Sequence, residues 1–183
     1  MRLFSEGETA VREVDFADDY PIHNSILLIG EDNPQSSHPA HALVCYPDGC
    51  AGHRLQEQIL GIVPDEYLAI WRANLCCPSW SQAEARLRFG LLMTMRGRPW
   101  TRVVCLGRKV SKIAEEWTAT VNQGLGFSLR PFGACFTDDV MLASLPHPSG
   151  RCREWNDPRS YDRAARVMRE IAPGIAWGGG GRL

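Results

Sequence analysis

Three runs constrain this chain more than anything else in it: "ILLIG" at 26–30, "RVVCLG" at 102–107 and "VMLASLP" at 140–146. Each is short, apolar without alternation, and closed by a glycine or proline. An exposed strand alternates apolar and polar residues. A continuous apolar run of this length is what a strand covered on both faces needs, and such strands belong to parallel sheets. A fourth segment, "RANLCCPSW", reads as extended and stops at Pro78. The stretches between carry a helical period. Leu55, Ile59 and Ile62 fall on one face of Ala51–Ile62, and Pro64 opens the short helix "PDEYLAIW". Ser79 or Ser81 is placed to cap "SQAEARLRFGLLMTMR", and "RKVSKIAEEWTATV" follows the second run. "SYDRAARVMREIA" closes the series, with Pro158 before it and Pro173 and Gly174 after it. Strands alternating with helices predict an α/β fold. The expectation is a three-layer α/β/α sandwich with a central parallel sheet of about four strands.

The 183 residues suit one domain. Residues 1–24 are polar and acidic and read as a leader packing on it. Residues 25–177 form the domain and 178–183 a flexible Gly-rich tail. Residues 31–50, rich in Pro, Ser, His and Gly, read as a long loop, and loops of that length are often functional. Hydrophobic residues make up 44% and charged residues 22%, the balance of a soluble globular chain. No apolar run approaches the roughly 18 to 20 residues of a membrane span, and the N-terminus lacks a signal-peptide apolar core. A cytoplasmic monomer with no membrane association is the expectation. The 7 cysteines are odd in number and irregular in spacing, unlike a disulfide framework. Cys45 and Cys50 are C-x4-C and Cys76 and Cys77 adjacent, neither the usual metal-ligand spacing. Free thiols, with no metal and no cofactor, are expected. Net charge is −1, but residues 1–70 hold 12 acids and 3 bases while the remainder holds 9 acids and 17 bases. Either the second part carries a basic face for a polyanion or the charges mix on the folded surface.

Ligands of open α/β folds bind outside the carboxyl ends of the strands. Two strands here deliver polar loops to that end, "GEDNP" and "PHPSG". Pro146 and Pro148 fix the backbone around His147. A rigid histidine there can aim a donor at a developing anion; the plainer reading is a histidine in a proline-rich turn.

The same residues resemble the motifs of the uracil-DNA glycosylase superfamily. "LLIGEDNP" resembles the first motif, where a strand runs into G-x-D-P, G-E-A-P-G or G-x-N-P-G. "LPHPSGRCREWN" resembles the last, H-P-S followed by a basic or polar loop. "YPDGCAGHRL" is similar to the aromatic-then-A-G segment before the first helix. "RANLCCPSW" is similar to the Asn-bearing strand, and "VVCLGRKVSKIA" to the strand–L-G–helix unit. The resemblance spans about residues 25 to 172, with the motifs in the family's order.

The resemblance implies an enzyme that extrudes a nucleotide from DNA and hydrolyses its N-glycosidic bond. The sugar becomes oxocarbenium-like and the base leaves as an anion. His147 would donate to the departing base. Asp32 or Asn33 would position the water: Asp32 holds the family slot counted from Gly30, Asn33 the slot counted back from Pro34. One extra residue separates the two alignments, and Asn33 is slightly favoured. Asn74 would read the pyrimidine edge with its amide, Tyr46 would stack on the base, and Gly30 and Glu31 would line the pocket. Ser149, Gly150, Arg151, Arg153 and Lys109 would meet the DNA, with Arg151 or Cys152 at the wedge position. The family's iron–sulfur branch needs two cysteines before the first motif; none precedes Gly30, so no cluster is carried over. Partners are then single- or double-stranded DNA with a uracil or modified pyrimidine. Three alternatives stand beside this: a non-hydrolytic reader of modified bases, an enzyme of free nucleosides or nucleotides, and an unrelated open α/β fold.

Overall fold

The computed structural model describes residues 25–33, 36, 41–122, 128–137 and 139–178. The leader and the end of the Gly-rich tail lie outside the described residues. Five strands form one sheet: β1 (Ile26–Asp32), β2 (Trp71–Cys76), β3 (Arg102–Leu106), β4 (Gly133–Phe136) and β5 (Met141–Leu145). Their order across the sheet is β2-β1-β3-β5-β4. The first four in that order are parallel, and β4 pairs with β5 antiparallel. The sheet therefore has five strands rather than about four. The additional strand is an edge strand of only four residues, bonded on one side, with Phe136 78% exposed. It lacks the continuous apolar signature because it is not buried on both faces.

Strand alternation divides the core. Ile26, Leu28, Val104, Leu106, Ala143 and Leu145 face one apolar layer. That layer is closed by α1 (Ala51–His53), the π-helical segment Arg54–Leu60 that continues it, α2 (Pro64–Leu68) and α5 (Arg159–Ile171). Leu27, Ile29, Val103, Cys105 and Leu142 face the other, covered by α3 (Gln82–Thr94) and α4 (Arg108–Val121). This is the three-layer sandwich. Ser81, not Ser79, caps α3, accepting from the Glu84 N–H. The predicted helix over 51–62 departs in one respect: after its first turn it widens to π geometry, and Gly61, at φ +63°, ends it. Gly178 donates its N–H to Leu60 O, fastening the chain's last described residue to that end. Among the described residues no helix is long and apolar enough to cross a membrane.

β1 runs two residues past the apolar stretch, through Glu31 and Asp32, before the loop begins. The next described segment, 41–45, is tied down from beneath. Buried Arg72 donates to Ala42 O, Tyr67 O and Ile70 O. The Tyr67 hydroxyl donates to Leu43 O at 2.6 Å. These bonds hold Leu43 against Gly30, at the carboxyl end of the sheet.

Candidate active site

The carboxyl ends of β1, β2, β3 and β5 meet around two glycines. Gly30 lies in register with Asn74 on β2. A methyl group on Gly30 would overlap Asn74 Oδ1, so only glycine lets that amide lie over the strand. Asn74 Oδ1 is buried and has no hydrogen-bond partner. Buried polar atoms are nearly always paired, so an orphaned acceptor at the carboxyl end of the sheet is a place where a ligand donor fits.

Gly107 closes β3 at φ +96° and donates its N–H to Leu145 O. A Cβ there would stand 2.8 Å from Glu31 Oε1 and 3.2 Å from His147 Cβ. Glu31 and His147 thus share the space that this glycine leaves open. The Glu31 carboxylate is paired with Lys109 Nζ at 2.9 Å, from the first turn of α4. Lys109 also stands over the Trp80 ring, 5.3 Å from its centroid. The bond to Glu31 raises the Lys109 pKa and keeps the ammonium charged.

His147 is fixed at two atoms. Its Nδ1 accepts the Ser149 N–H at 3.1 Å, and its carbonyl accepts the Trp155 indole N–H at 2.9 Å. With Nδ1 accepting, the neutral ring carries its proton on Nε2, so Nε2 is a donor. Burial lowers the His147 pKa; the Glu31 and Asp32 carboxylates pull it up, and Lys109 pushes it down again. Burial dominates, and the ring is held neutral.

The two candidate water-positioning residues differ in their engagements. Asn33 donates its backbone N–H to Cys76 O and its side-chain amide to His41 O at 3.1 Å, tying the end of β1 to β2 and to residue 41. Among the described residues the Asp32 carboxylate has no hydrogen-bond or ion-pair partner, and it is close enough to His147 to influence its charge. The other expected residues are distributed as follows. Ser149 spends its N–H on His147, and Gly150 follows it on the exposed side. Arg151 and Arg153 are exposed, whereas Lys109 is committed to Glu31. Tyr46 is 64% exposed, with no described hydrogen bond or ring contact to the pocket. Three contributors were not singled out from the sequence. Leu43, Trp80 and Arg72 shape the site through contacts between distant segments, and only the position of Trp80, just after "CCPS", hints at it.

All seven cysteines are free, and among the described residues no three His, Cys, Asp or Glu side chains cluster as metal ligands would. A separate open depression of about 310 Å³, lined by Thr101, Arg102, Phe136 and Glu170 among others, lies at the opposite end of the sheet. It gathers none of the groups just described. No protein-family model matches the chain, and no curated protein matches it.

Proposed function

We propose that this chain is a uracil-DNA glycosylase-like hydrolase, acting on a flipped uracil or modified pyrimidine in DNA. The observation that carries the reading is the buried, unpartnered Asn74 Oδ1 over Gly30, at the same carboxyl end of the sheet as a neutral histidine presenting Nε2–H. A pyrimidine edge carries an N–H beside a carbonyl, so an acceptor and a donor at one end of the sheet suit it.

Each step then has a group to perform it. The extruded base enters between Asn74 and His147. The C1′–N bond breaks with its electron pair going to the base, and His147 Nε2–H stabilises the anion on the base oxygen. Water adds to C1′. Its departing proton goes to Asp32, the carboxylate with no other engagement; the Asn33 amide is bound to His41 O instead. The Glu31–Lys109 pair lines the wall beside the histidine, with its charges mutually compensated. Placing the chain in the cytoplasm as a monomer goes with this reading.

The test is strand cleavage. Single- and double-stranded oligonucleotides with uracil, hydroxymethyluracil or other modified pyrimidines are incubated with the protein, then treated with alkali to cut abasic sites. Cleavage of one substrate, reduced about 10²–10³-fold by His147→Ala, is the expected result. Tight binding with no abasic site would replace hydrolysis by non-hydrolytic reading in the same pocket. Turnover of free nucleosides alone would remove DNA as the substrate.

A further inference from the structure

A second unpartnered polar atom is buried at this end of the sheet, and the proposed chemistry does not use it. Arg54, the first residue of the π-helical segment, lays Nη1 against Gly150, where a Cβ would come within 2.8 Å. Its Nε is buried and has no hydrogen-bond partner. Among the described residues Arg54 forms no ion pair. Glu57, the nearest acid in its own helix, is turned to His53 Nε2 at 3.4 Å.

Three other arginines are treated differently, although Arg98 Nε is also buried without a partner. On the α3 and α4 side Arg86 pairs with Glu116, Arg88 with Glu84 and Arg108 with Glu115. Those cations are neutralised within the fold. Arg54 is partly withdrawn from water and uncompensated, and it lies against Gly150, the residue before Arg151, which also forms no described ion pair. A guanidinium N–H removed from water without an acceptor is costly, and an anionic acceptor relieves both deficits at once.

We propose that Arg54 binds a non-bridging oxygen of a nucleic-acid phosphodiester next to the nucleotide whose base enters the pocket. The inference rests on the pocket taking a nucleotide within a strand. An extruded base brings its sugar and flanking phosphates to the rim, and Gly150 forms the rim beside His147. The planar fork suits a phosphate, and glycine at 150 gives it room to lie flat. Arg54 is a binding residue here and takes no part in bond cleavage.

The experiment measures binding to short duplex and single-stranded oligonucleotides carrying one tetrahydrofuran abasic nucleotide, across a salt series. Flanking phosphates are replaced one at a time by uncharged methylphosphonate. Arg54→Gln is expected to bind duplex about 10-fold more weakly and to reduce the slope of log affinity against log salt by about 0.9. One methylphosphonate position should weaken the wild-type protein about 10-fold and the variant not at all. Arg54→Lys should recover the slope but not the full affinity. Equal slopes for wild type and Arg54→Gln would overturn the assignment, as would methylphosphonate losses identical in both proteins. If Arg54→Gln does not fold, the same comparison runs on Arg54→Lys, whose loss at the sensitive phosphate should be smaller than wild type's. Cleavage is scored separately. Arg54-dependent binding without cleavage sinks the glycosylase and keeps the phosphate contact, and cleavage with unaltered Arg54→Gln binding does the reverse.

Discussion

At the scale of single residues the site depends on where a proton resides. His147 carries its proton on Nε2 because Ser149 N–H occupies Nδ1. Protonating Nδ1 would set two N–H groups against each other and loosen the loop. Burial already lowers the folded-state pKa below the ordinary value of about 6.5. The unfolded chain therefore takes up this proton first as pH falls. The stability linked to the neutral ring is complete above about pH 6.5 and declines as pH drops from there toward the folded pKa. Cleavage should hold through pH 6.5 and fail at lower pH, and a pH–rate profile checks this. Lys109→Met removes a positive neighbour and leaves Glu31 uncompensated beside the ring, so the acid limb should move to higher pH. A ¹H–¹³C titration of His147 reads the same shift without any substrate. Gly107→Ala forces a side chain into φ +96° and against Glu31 and His147. A loss of about 1–3 kcal/mol in urea unfolding is expected, with activity falling further than stability explains.

At the scale of elements, the loops are held by bonds from beneath. Arg72 supplies donors to three backbone carbonyls, and Arg72→Met strands those carbonyls in an apolar layer. Thermal unfolding should show a loss of about 2–3 kcal/mol. Ser81→Ala removes only the α3 cap, a hydroxyl that takes no part in the chemistry, and should cost about 1 kcal/mol with cleavage unchanged. The interior strands were legible because burial on both faces leaves an uninterrupted apolar run, as in Ile26–Ile29 and Val103–Leu106. β4 was not, because an edge strand such as "GACF" is half exposed and follows a proline turn. The widening of 54–60 to π geometry has no local signature either. Gly30, Asn74 and His147 were legible through their neighbours along the chain. The ion pair of Glu31 with Lys109, and Arg54 against Gly150, join residues about 80 to 100 positions apart. Nothing in the local pattern announces such contacts. The bond that sets Asn33 apart from Asp32 reaches a carbonyl eight residues away, at His41.

On the scale of the whole molecule, two apolar layers share one sheet, and neither layer is peripheral to the site. Phe89, fully buried on the α3 side, stacks edge-on against Trp117. Phe89→Ala should cost about 3–5 kcal/mol in denaturant unfolding, a large share of the roughly 5–15 kcal/mol that holds an ordinary domain folded. The strand order carries a further consequence. β1 and β2 come from the first part of the chain, and β3, β5 and β4 from the second. They meet along a single β1–β3 seam, from Ile26 opposite Arg102 to Ile29 opposite Cys105. Gly30, Glu31, Asp32 and Asn74 stand on one bank of that seam, and Gly107, Lys109 and His147 on the other. Neither bank holds a complete set, so half a molecule is worth nothing chemically. The proposed pocket needs both leaves of the sheet at once, so the cleavage expected of it should vanish as one event, together with the fold.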